Sequence, residues 1–561
     1  MRDIFEGLSL KPYGATPNER QIEWYKRKRM IFLHFGMNTF TGKEWGDGTE
    51  SPALFNPTEL DVYQWVRTAK DAGFGAVILT AKHHDGFCLW PSKYTEHSIK
   101  NSPYKNGKGD IVREFTDACA SLGVKAGIYL SPWDRHEPSW GKEEYNDFYV
   151  GQLSELLSNY GKIWECWWDG AGSTEAVYDW ERWARTVRAL QGDAVIFGSL
   201  GATPWVDVRW VGNEKGVAGK PCYATIDAHS LVVENTAELN RGKLGGERFI
   251  PAEVDVSIRP GWFYHAEQDS QVRSSANLID LWFDSVGRGA GLLLNLPPDR
   301  RGLIHENDVA SLLEFNDILT RALSSNLALG ATVRASSVRD GCLAQDILSD
   351  TLFYAPQDNN ITPCVEISFE NEIEFNAFSI GEVIELGHKI TKIRISACID
   401  GEWRVIGENE CVGARFAQRT PLIKSNGIKI EVLSALDTPV LRGFGLYKFD
   451  DSVAKCDTSS NGNLLEASYA EVKIEGNTIE ANLGGVFPFN QIKVLGVGAC
   501  EYRLLIFNGS SFDTLLEGRC EDEDLSLSFD TVDYSYRFKL VLDKAVSTEQ
   551  IEVFYLQSST H

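Results

Sequence analysis

Short apolar runs alternate with longer amphipathic stretches between residues 30 and 300, and this alternation constrains the fold more than any other feature of the chain. It is typical of strands joined by helices into a parallel sheet. Eight runs are predicted to be strands, which is the number that closes a (β/α)8 barrel: residues 31–35, 76–80, 124–130, 163–168, 194–198, 206–211, 249–254 and 291–294. An open doubly wound sheet is the alternative, but no GxGxxG follows the first strand, so a dinucleotide site has little support.

The pattern changes after a predicted helix at residues 305–323, which ends in Ser324-Ser325-Asn326. Beyond it, short alternating strands and turn residues predict antiparallel sandwiches. We therefore expect an α/β chain with a TIM-like (β/α)8 catalytic barrel over residues 1–325. A β-sandwich over 326–449 and a second one over 450–561, of discoidin or jelly-roll type, would follow.

Composition places the chemistry in the barrel and excludes several classes of partner. Fifteen of the sixteen Trp lie at or before Trp282, and a density of Trp beside acids is typical of sites that stack on sugars. The formal charge of -24 argues against nucleic acid or an anionic membrane as partner. The eleven Cys form no CxxC pair, and no leader or long apolar run occurs, so we expect a cytoplasmic protein, or a secreted one whose leader has been removed.

Polar side chains follow six of the predicted strands, and on a barrel these strand ends meet at one face. The residues are His34 with Glu44 and Trp45 after the first strand, His83 and His84 after the second, Tyr129 at the third, Asp169 at the fourth, Glu214 at the sixth, and Arg259 and Trp262 after the seventh. Some of these residues have a simpler interpretation as well. Asp169 could cap the next helix, and the two histidines could be structural.

Adjacent histidines could also be metal ligands. Neighbouring residues at a strand end are expected to point in opposite directions, however, and no HxH or HExxH spacing accompanies them. We therefore predict no metal and no cofactor, and we expect His83 and His84 to hydrogen-bond substrate hydroxyls.

Two carboxylates form the natural catalytic pair, because the sequence contains no GxSxG elbow and no suitable Cys/His signature. Hydrolysis of a glycosidic bond needs one ionised acid to attack the sugar carbon and one protonated acid to protonate the leaving oxygen. Asp169 suits the first role and Glu214 the second. The rivals for the protonated acid, which spacing alone does not exclude, are Glu253, Asp207 and Asp134.

Six motifs in the barrel region resemble the alpha-L-fucosidases of glycoside hydrolase family 29. They are HFG from His34, KHHDGF from Lys82, WWDG from Trp167, WVGNE from Trp210, SIRPGWFYH from Ser257 and LLLNLPPDRRGLIH from Leu292. The resemblance covers about residues 10 to 320. It implies retaining, double-displacement hydrolysis of terminal alpha-L-fucose from a fucosylated oligosaccharide or glycoconjugate, with Asp169 as nucleophile.

The same resemblance implies the binding residues and the linkage. His34, Glu44, Trp45, His83, His84 and Tyr129 would bind the fucose, with Arg259 and Trp262 lining the site. Glu214 resembles the acid/base of the subfamily that prefers alpha-1,3/4-linked fucose on branched glycans. Residues 326–449 look like a discoidin-type carbohydrate-binding module, in which Trp403 is either a sugar platform or a core aromatic residue.

Two other functions stay open at this point. One is an exo-glycosidase that uses the same paired acids on another sugar. The other is a catalytically inactive protein that binds glycans through its sandwiches. Intact acids at Asp169 and Glu214 speak against the second.

Overall fold

The eight predicted strands close into one parallel barrel in the computed structural model, which describes residues 5, 7–171, 176–227, 236–450, 465, 471–482, 489–507, 512–532, 537–546 and 550–554. The barrel strands are β1 (Arg29–Leu33), β2 (Ala76–Lys82), β3 (Lys125–Leu130), β4 (Glu165–Trp167), β5 (Val195–Gly198), β6 (Val208–Trp210), β9 (Ala252–Ser257) and β10 (Gly291–Asn295). Each pairs in parallel with its neighbours, and β10 closes the ring on β1. The predicted α/β barrel is confirmed, and the open sheet is excluded.

The seventh predicted strand differs in its start. Residues 248–249 leave the barrel and form a separate antiparallel pair of β7 (Thr225–Ile226) and β8 (Arg248–Phe249). Pro251 separates this pair from β9, and it carries no N–H for a continuous ladder. The barrel strand therefore begins at Ala252.

Helices surround the barrel, and their ends follow local capping rules. They are α1 (Glu19–Tyr25), α2 (Met37–Thr41), α3 (Val62–Asp71), α4 (Ile111–Leu122), α5 (Tyr145–Asn159), α6 (Trp180–Leu190), α7 (Thr236–Arg241), α8 (Ser275–Asp284) and α9 (Glu306–Leu323). The side chains of Asp61 and Asp110 accept backbone N–H groups at the starts of α3 and α4. Within the ranges given above, no helix is long and apolar enough to span a membrane.

Alternate residues of each barrel strand face different cores. In β1, Met30 and Phe32 belong to an inner cluster rich in aromatic rings, whereas Ile31 and Leu33 pack against the helices. This is the period of two that a strand imposes. The inner cluster forms the floor beneath the carboxyl ends of the strands.

Two antiparallel units follow the barrel. The first is a six-stranded sheet of β11 (Thr332–Ala335), β12 (Cys364–Glu382), β13 (Ile390–Ile399), β14 (Glu402–Asn409), β15 (Phe416–Ala435) and β16 (Leu441–Tyr447) around its own apolar core. The second has a five-stranded and a three-stranded sheet that share one core: β17 (Glu471–Glu475), β18 (Thr478–Asn482), β20 (Cys500–Phe507), β21 (Phe512–Cys520) and β23 (Arg537–Leu542), then β19 (Phe489–Val494), β22 (Leu525–Val532) and β24 (Ile551–Phe554).

The first antiparallel unit packs directly on the barrel. Phe449 joins the apolar cluster of the barrel helices and lies against Phe283, with the two ring centres 5.4 Å apart. Arg419 forms an ion pair with Asp280 of α8 at 2.6 Å. Trp403 is 44% exposed, so it is not a core residue.

Candidate active site

A pocket of about 240 Å³ opens at the carboxyl ends of the barrel strands. The strand ends and the loops that follow them meet there, so side chains from several strands converge on one space. Eight predicted site residues line it: His34, Trp45, His83, His84, Tyr129, Asp169, Glu214 and Trp262. The rest of the wall is mainly aromatic, with Phe32, Trp167, Phe197 and Trp210.

Asp169 lies just beyond β4, and its carboxylate is held by both oxygens. Tyr129 donates its hydroxyl to Oδ2 at 3.1 Å, and the backbone N–H of Ala171 donates to Oδ1 at 2.8 Å. The side chain stays 28% exposed toward the pocket. Asp179, and not Asp169, accepts the N–H group at the start of α6, so the helix-cap interpretation of Asp169 is wrong.

Glu214 reaches the same pocket from the loop after β6. The indole N–H of Trp262 donates to its Oε2 at 3.1 Å. Although the carboxyl group faces the pocket, the protein around it raises the pKa of Glu214 by desolvation, and the charges of Asp169 and Glu44 raise it further. The Trp262 hydrogen bond acts in the opposite direction. The net effect favours a protonated Glu214 beside an acid that is hydrogen-bonded as a carboxylate.

His34 and His83 are buried and neutral, and their neighbours fix which ring nitrogen carries hydrogen. Burial lowers the pKa of His34 to about 3 and holds the pKa of His83 well below its ordinary value. Asn295 donates its amide N–H groups to Ser257 and Trp262, so its oxygen accepts from Nδ1 of His34 at 2.9 Å. His34 therefore keeps Nε2 as an acceptor.

His83 has the complementary tautomer. The amide nitrogen of Asn38 donates to the carbonyl of Glu44 at 2.9 Å and approaches Nδ1 of His83 at 3.4 Å. Nδ1 of His83 is then an acceptor, which leaves Nε2–H as a donor. The two rings together offer one acceptor and one donor to a ligand with hydroxyl groups.

The expectation that His83 and His84 point in opposite directions is wrong. Their ring centres lie 4.1 Å apart, and both rings line the pocket. The reason is that β2 ends at Lys82 after a register shift against β3, so the two histidines already lie in the turn. Among the described residues, no group of three or more His, Cys, Asp or Glu side chains is placed to hold a metal ion.

Glu44 and Arg259 are not in the wall of this pocket, and each of them binds neighbouring groups. Glu44 accepts the backbone N–H of Trp262 at 2.9 Å and contacts Nε2 of His265 at 2.6 Å, so it helps to fix the backbone of Trp262. Arg259 is buried, and its guanidinium pairs with Asp308 and Asp269 at 2.8 Å each. Its role is to tie the loop after β9 to α9.

None of the three rival acids reaches the pocket. Glu253 is buried below the floor, where it accepts the indole N–H groups of Trp24 and Trp167. Asp207 lies at the opposite end of the barrel and pairs with Arg20 and Arg188. Asp134 forms a buried ion pair with Lys82 at 2.7 Å and lies outside the pocket wall. These positions leave Glu214 as the exposed partner of Asp169.

Sequence reasoning missed Asp255, a buried carboxyl group in the pocket wall beside Glu214. Burial raises the pKa of Asp255 well above its ordinary value, and the charge of Glu214 raises it further. Trp210 donates its indole N–H to it at 2.9 Å. The signal was present in Ala252–Ser257, where Glu253, Asp255 and Ser257 alternate with apolar residues. In a barrel strand, such alternation places polar groups inside.

The family model for alpha-L-fucosidase matches residues 11–322, which is the whole barrel. The chain belongs to the alpha-L-fucosidases of glycoside hydrolase family 29. It is 41% identical over 464 residues to alpha-L-fucosidase 1 of Arabidopsis thaliana, covering 79% of this chain and 90% of that protein.

Solved structures of the family show the same architecture. A putative alpha-L-fucosidase from Bacteroides thetaiotaomicron superposes with a TM-score of 0.77 at 46% identity, covering 79% of this chain and 99% of that one. A family 29 fucosidase from Ruminococcus gnavus, solved in complex with fucose, gives a TM-score of 0.73 at 32% identity, covering 79% of this chain and 97% of that one. The family resemblance stated from the motifs is thereby confirmed.

Proposed function

We propose that this alpha-L-fucosidase releases terminal alpha-1,3- or alpha-1,4-linked L-fucose from branched glycans by a retaining double displacement. One observation carries the proposal: Asp169 and Glu214 line one small pocket and have different electrostatic environments. Two acids whose surroundings separate their protonation states are the arrangement that this chemistry needs.

The first step forms a covalent intermediate. The Asp169 carboxylate attacks the anomeric carbon, and the bond from that carbon to the leaving oxygen breaks. Glu214 donates its proton to this oxygen, so the aglycone leaves as an alcohol. Tyr129 and the Ala171 N–H hold the attacking carboxylate and orient its oxygens before the reaction.

The second step restores the enzyme. Glu214, now ionised, takes a proton from a water molecule, whose oxygen attacks the anomeric carbon and displaces Asp169. Two inversions at one carbon give net retention. The hydrogen bond from Trp262 stabilises the ionised form of Glu214 between the two steps.

The walls of the pocket suit a deoxy sugar. L-Fucose carries a methyl group in place of a hydroxymethyl group, and Phe32, Trp167 and Phe197 provide an apolar wall for such a group. The neutral rings of His34 and His83 provide an acceptor and a donor for ring hydroxyls. The fucose complex of the Ruminococcus gnavus relative supports this choice of sugar.

Two features support the linkage. Glu214 belongs to the GNE segment, which resembles the acid/base segment of the alpha-1,3/4-specific subfamily. Trp45 lies in the pocket wall with 58% of its surface exposed, so an aromatic face is available at the mouth for the neighbouring sugar of a branched glycan.

The test uses substrate variants and enzyme variants together. Wild-type enzyme should release fucose from Lewis-type trisaccharides faster than from 2'-linked fucosides, and NMR should detect alpha-fucose first. Asp169→Ala should abolish turnover, and added azide should yield fucosyl azide of inverted configuration. Glu214→Ala should slow glycan cleavage far more than cleavage of an activated aryl fucoside.

Asp193→Asn is the matched control, since Asp193 is an exposed carboxylate that pairs with Lys162 on the surface. It should have wild-type activity. Turnover by Asp169→Ala without azide, or beta-fucose as the first product, would contradict the mechanism. Faster release of galactose than of fucose would contradict the substrate.

A further inference from the structure

A second cleft, of about 620 Å³, lies between the barrel and the first antiparallel unit. It is at the end of the barrel opposite the active site, because Lys28 precedes β1 whereas His34 follows it. Its charged lining residues are Lys26, Lys28, Asp350, Glu385, Arg415 and Arg442. The proposed hydrolysis of fucosides uses none of them.

Two of these cations have no anionic partner. Over the described residues, the ammonium group of Lys28 makes no hydrogen bond or ion pair, and the buried Nε of Arg415 has no hydrogen-bond partner. The guanidinium of Arg415 lies over the ring of Trp282, 5.6 Å from its centre. The other cations are occupied, because Arg442 makes a two-pronged contact with Glu385 and Lys26 pairs with Glu23.

The two unpaired cations also line the same cleft, where their charges interact. The charge of Arg415 lowers the pKa of Lys28 to about 7, with burial and the charge of Arg442 acting in the same direction. Asp350 acts against this but lies outside ion-pair distance and is exposed. Like charges held together in a partly buried cleft destabilise a protein unless an anion lies between them. A positive cleft is notable on a chain with a net charge of -24.

We infer that this cleft is a binding site for a small oxyanion of the phosphate or sulfate class, held between Lys28 and Arg415. Arginine offers a planar set of N–H donors that matches such oxygens, and lysine adds a point charge. The cleft is larger than a bare oxyanion requires, so the anion can also be the ester group of a phosphorylated or sulfated sugar.

The experiment measures binding to the full-length protein by calorimetry and thermal melting at constant ionic strength. The probes are inorganic phosphate, inorganic sulfate, galactose 6-sulfate and plain galactose, with chloride as the reference. We expect saturable binding of the first three and none of galactose. Tighter binding of galactose 6-sulfate than of sulfate identifies a sugar ester as the ligand, and equal binding identifies the free anion.

Variants distinguish a site from a general salt effect. Sulfate stabilises most proteins without binding to a site, and that effect should be the same in all variants. Lys28→Met and Arg415→Met should each weaken binding about tenfold or more, since each removes one charge-assisted contact. Lys26→Met is the control, because Lys26 lines the same cleft but is paired; it should bind like wild type.

Stability without anion gives an independent readout. If the cations are uncompensated, Lys28→Met should melt no lower than wild type in chloride, because it removes a repulsion. Aryl fucoside hydrolysis should be unchanged in this variant, since the active site is at the other end of the barrel. Equal oxyanion binding by wild type, Lys28→Met and Arg415→Met, or no saturable binding by wild type, would overturn the inference.

Discussion

Trp262 donates its indole N–H to Glu214 across 3.1 Å, and it does so from a backbone that Glu44 holds at 2.9 Å. The Trp262 ring therefore affects the balance between the protonated and the ionised form of Glu214. The position of Trp262 depends in turn on Glu44. Desolvation by the surrounding protein favours the protonated form, and the Trp262 hydrogen bond favours the ionised form. This balance is open to direct measurement.

Trp262→Phe should move the alkaline limb of the kcat/KM profile to higher pH. The variant removes the hydrogen bond that lowers the pKa of Glu214, so the proton is retained to higher pH. One such bond is equivalent to about 0.5 to 1 pH unit. The measurement is the pH dependence of aryl fucoside hydrolysis. Trp45→Phe, which changes a pocket ring with no hydrogen bond to Glu214, should leave the limb in place; an equal shift there would contradict the explanation.

Tyr129→Phe should lower kcat about tenfold with a smaller change in KM, because it removes the hydroxyl that orients the Asp169 carboxylate. The measurement is steady-state kinetics with an aryl fucoside. Tyr145→Phe is the control, since its hydroxyl donates to the carbonyl of Pro132 at 2.8 Å, outside the pocket wall. A similar loss of kcat in both variants would indicate a structural effect instead.

Gly261→Ala should reduce kcat/KM by about tenfold through Glu44. A Cβ atom at Gly261 would lie 2.4 Å from Oε1 of Glu44 and 3.2 Å from His265. Glu44 must then move, and the backbone of Trp262 loses its acceptor. Kinetics and melting temperature should be measured together. Glu44→Gln should give a similar kinetic defect, whereas unchanged kinetics in Gly261→Ala would show that Glu44 does not position Trp262.

Glu165→Gln should reduce the loss of thermal stability between pH 5 and pH 8. Burial raises the pKa of Glu165 well above 4.5, and the charge of Glu253 raises it further. A carboxyl group with a raised pKa contributes stability that is present below its unfolded value and is lost as pH rises toward its folded value. Glu165→Gln removes the ionisable group at position 165 and with it this contribution.

Melting curves at the two pH values should therefore differ less for Glu165→Gln than for wild type, by roughly 2 °C or more. Glu143→Gln, a change at an exposed glutamate, is the reference and should behave like wild type. An identical pH dependence in wild type and Glu165→Gln would refute a raised pKa at Glu165.

Local pattern in the sequence was sufficient to predict the barrel and most of the pocket. The period of strands and helices is short-range, and a barrel brings every strand end to one face whatever the loops do. The convergence of Asp169, Glu214 and Trp45 therefore follows from their places after strands. Asp255 follows the same alternation of inward and outward side chains, but it lies within a strand and not after one. No motif next to it in the sequence indicates that it reaches the pocket.

The contacts of loop residues were predicted less well, because the direction of a loop side chain depends on contacts with segments that are distant in the sequence. Nothing near Arg259 in the sequence indicates that Asp308, which lies on α9 and 49 residues further along the chain, takes its guanidinium. Glu44 likewise turns to Trp262, more than two hundred residues away. The turn after β2 sent both histidines inward through a register shift that no local pattern marks.

The sequence by itself determined the fold class and the family, and it pointed to the two acids proposed as the catalytic pair, since these follow from periodicity and from motifs in order along one chain. Only the tertiary structure decided which polar groups share a pocket and which pair elsewhere, and it alone brought Lys28 and Arg415 into one cleft. The physical reason is the distance along the chain over which each effect operates. The periodicity of strands and helices is set by a few neighbouring residues, whereas electrostatic and packing partners are set by the closure of the barrel and the docking of the sandwich onto it.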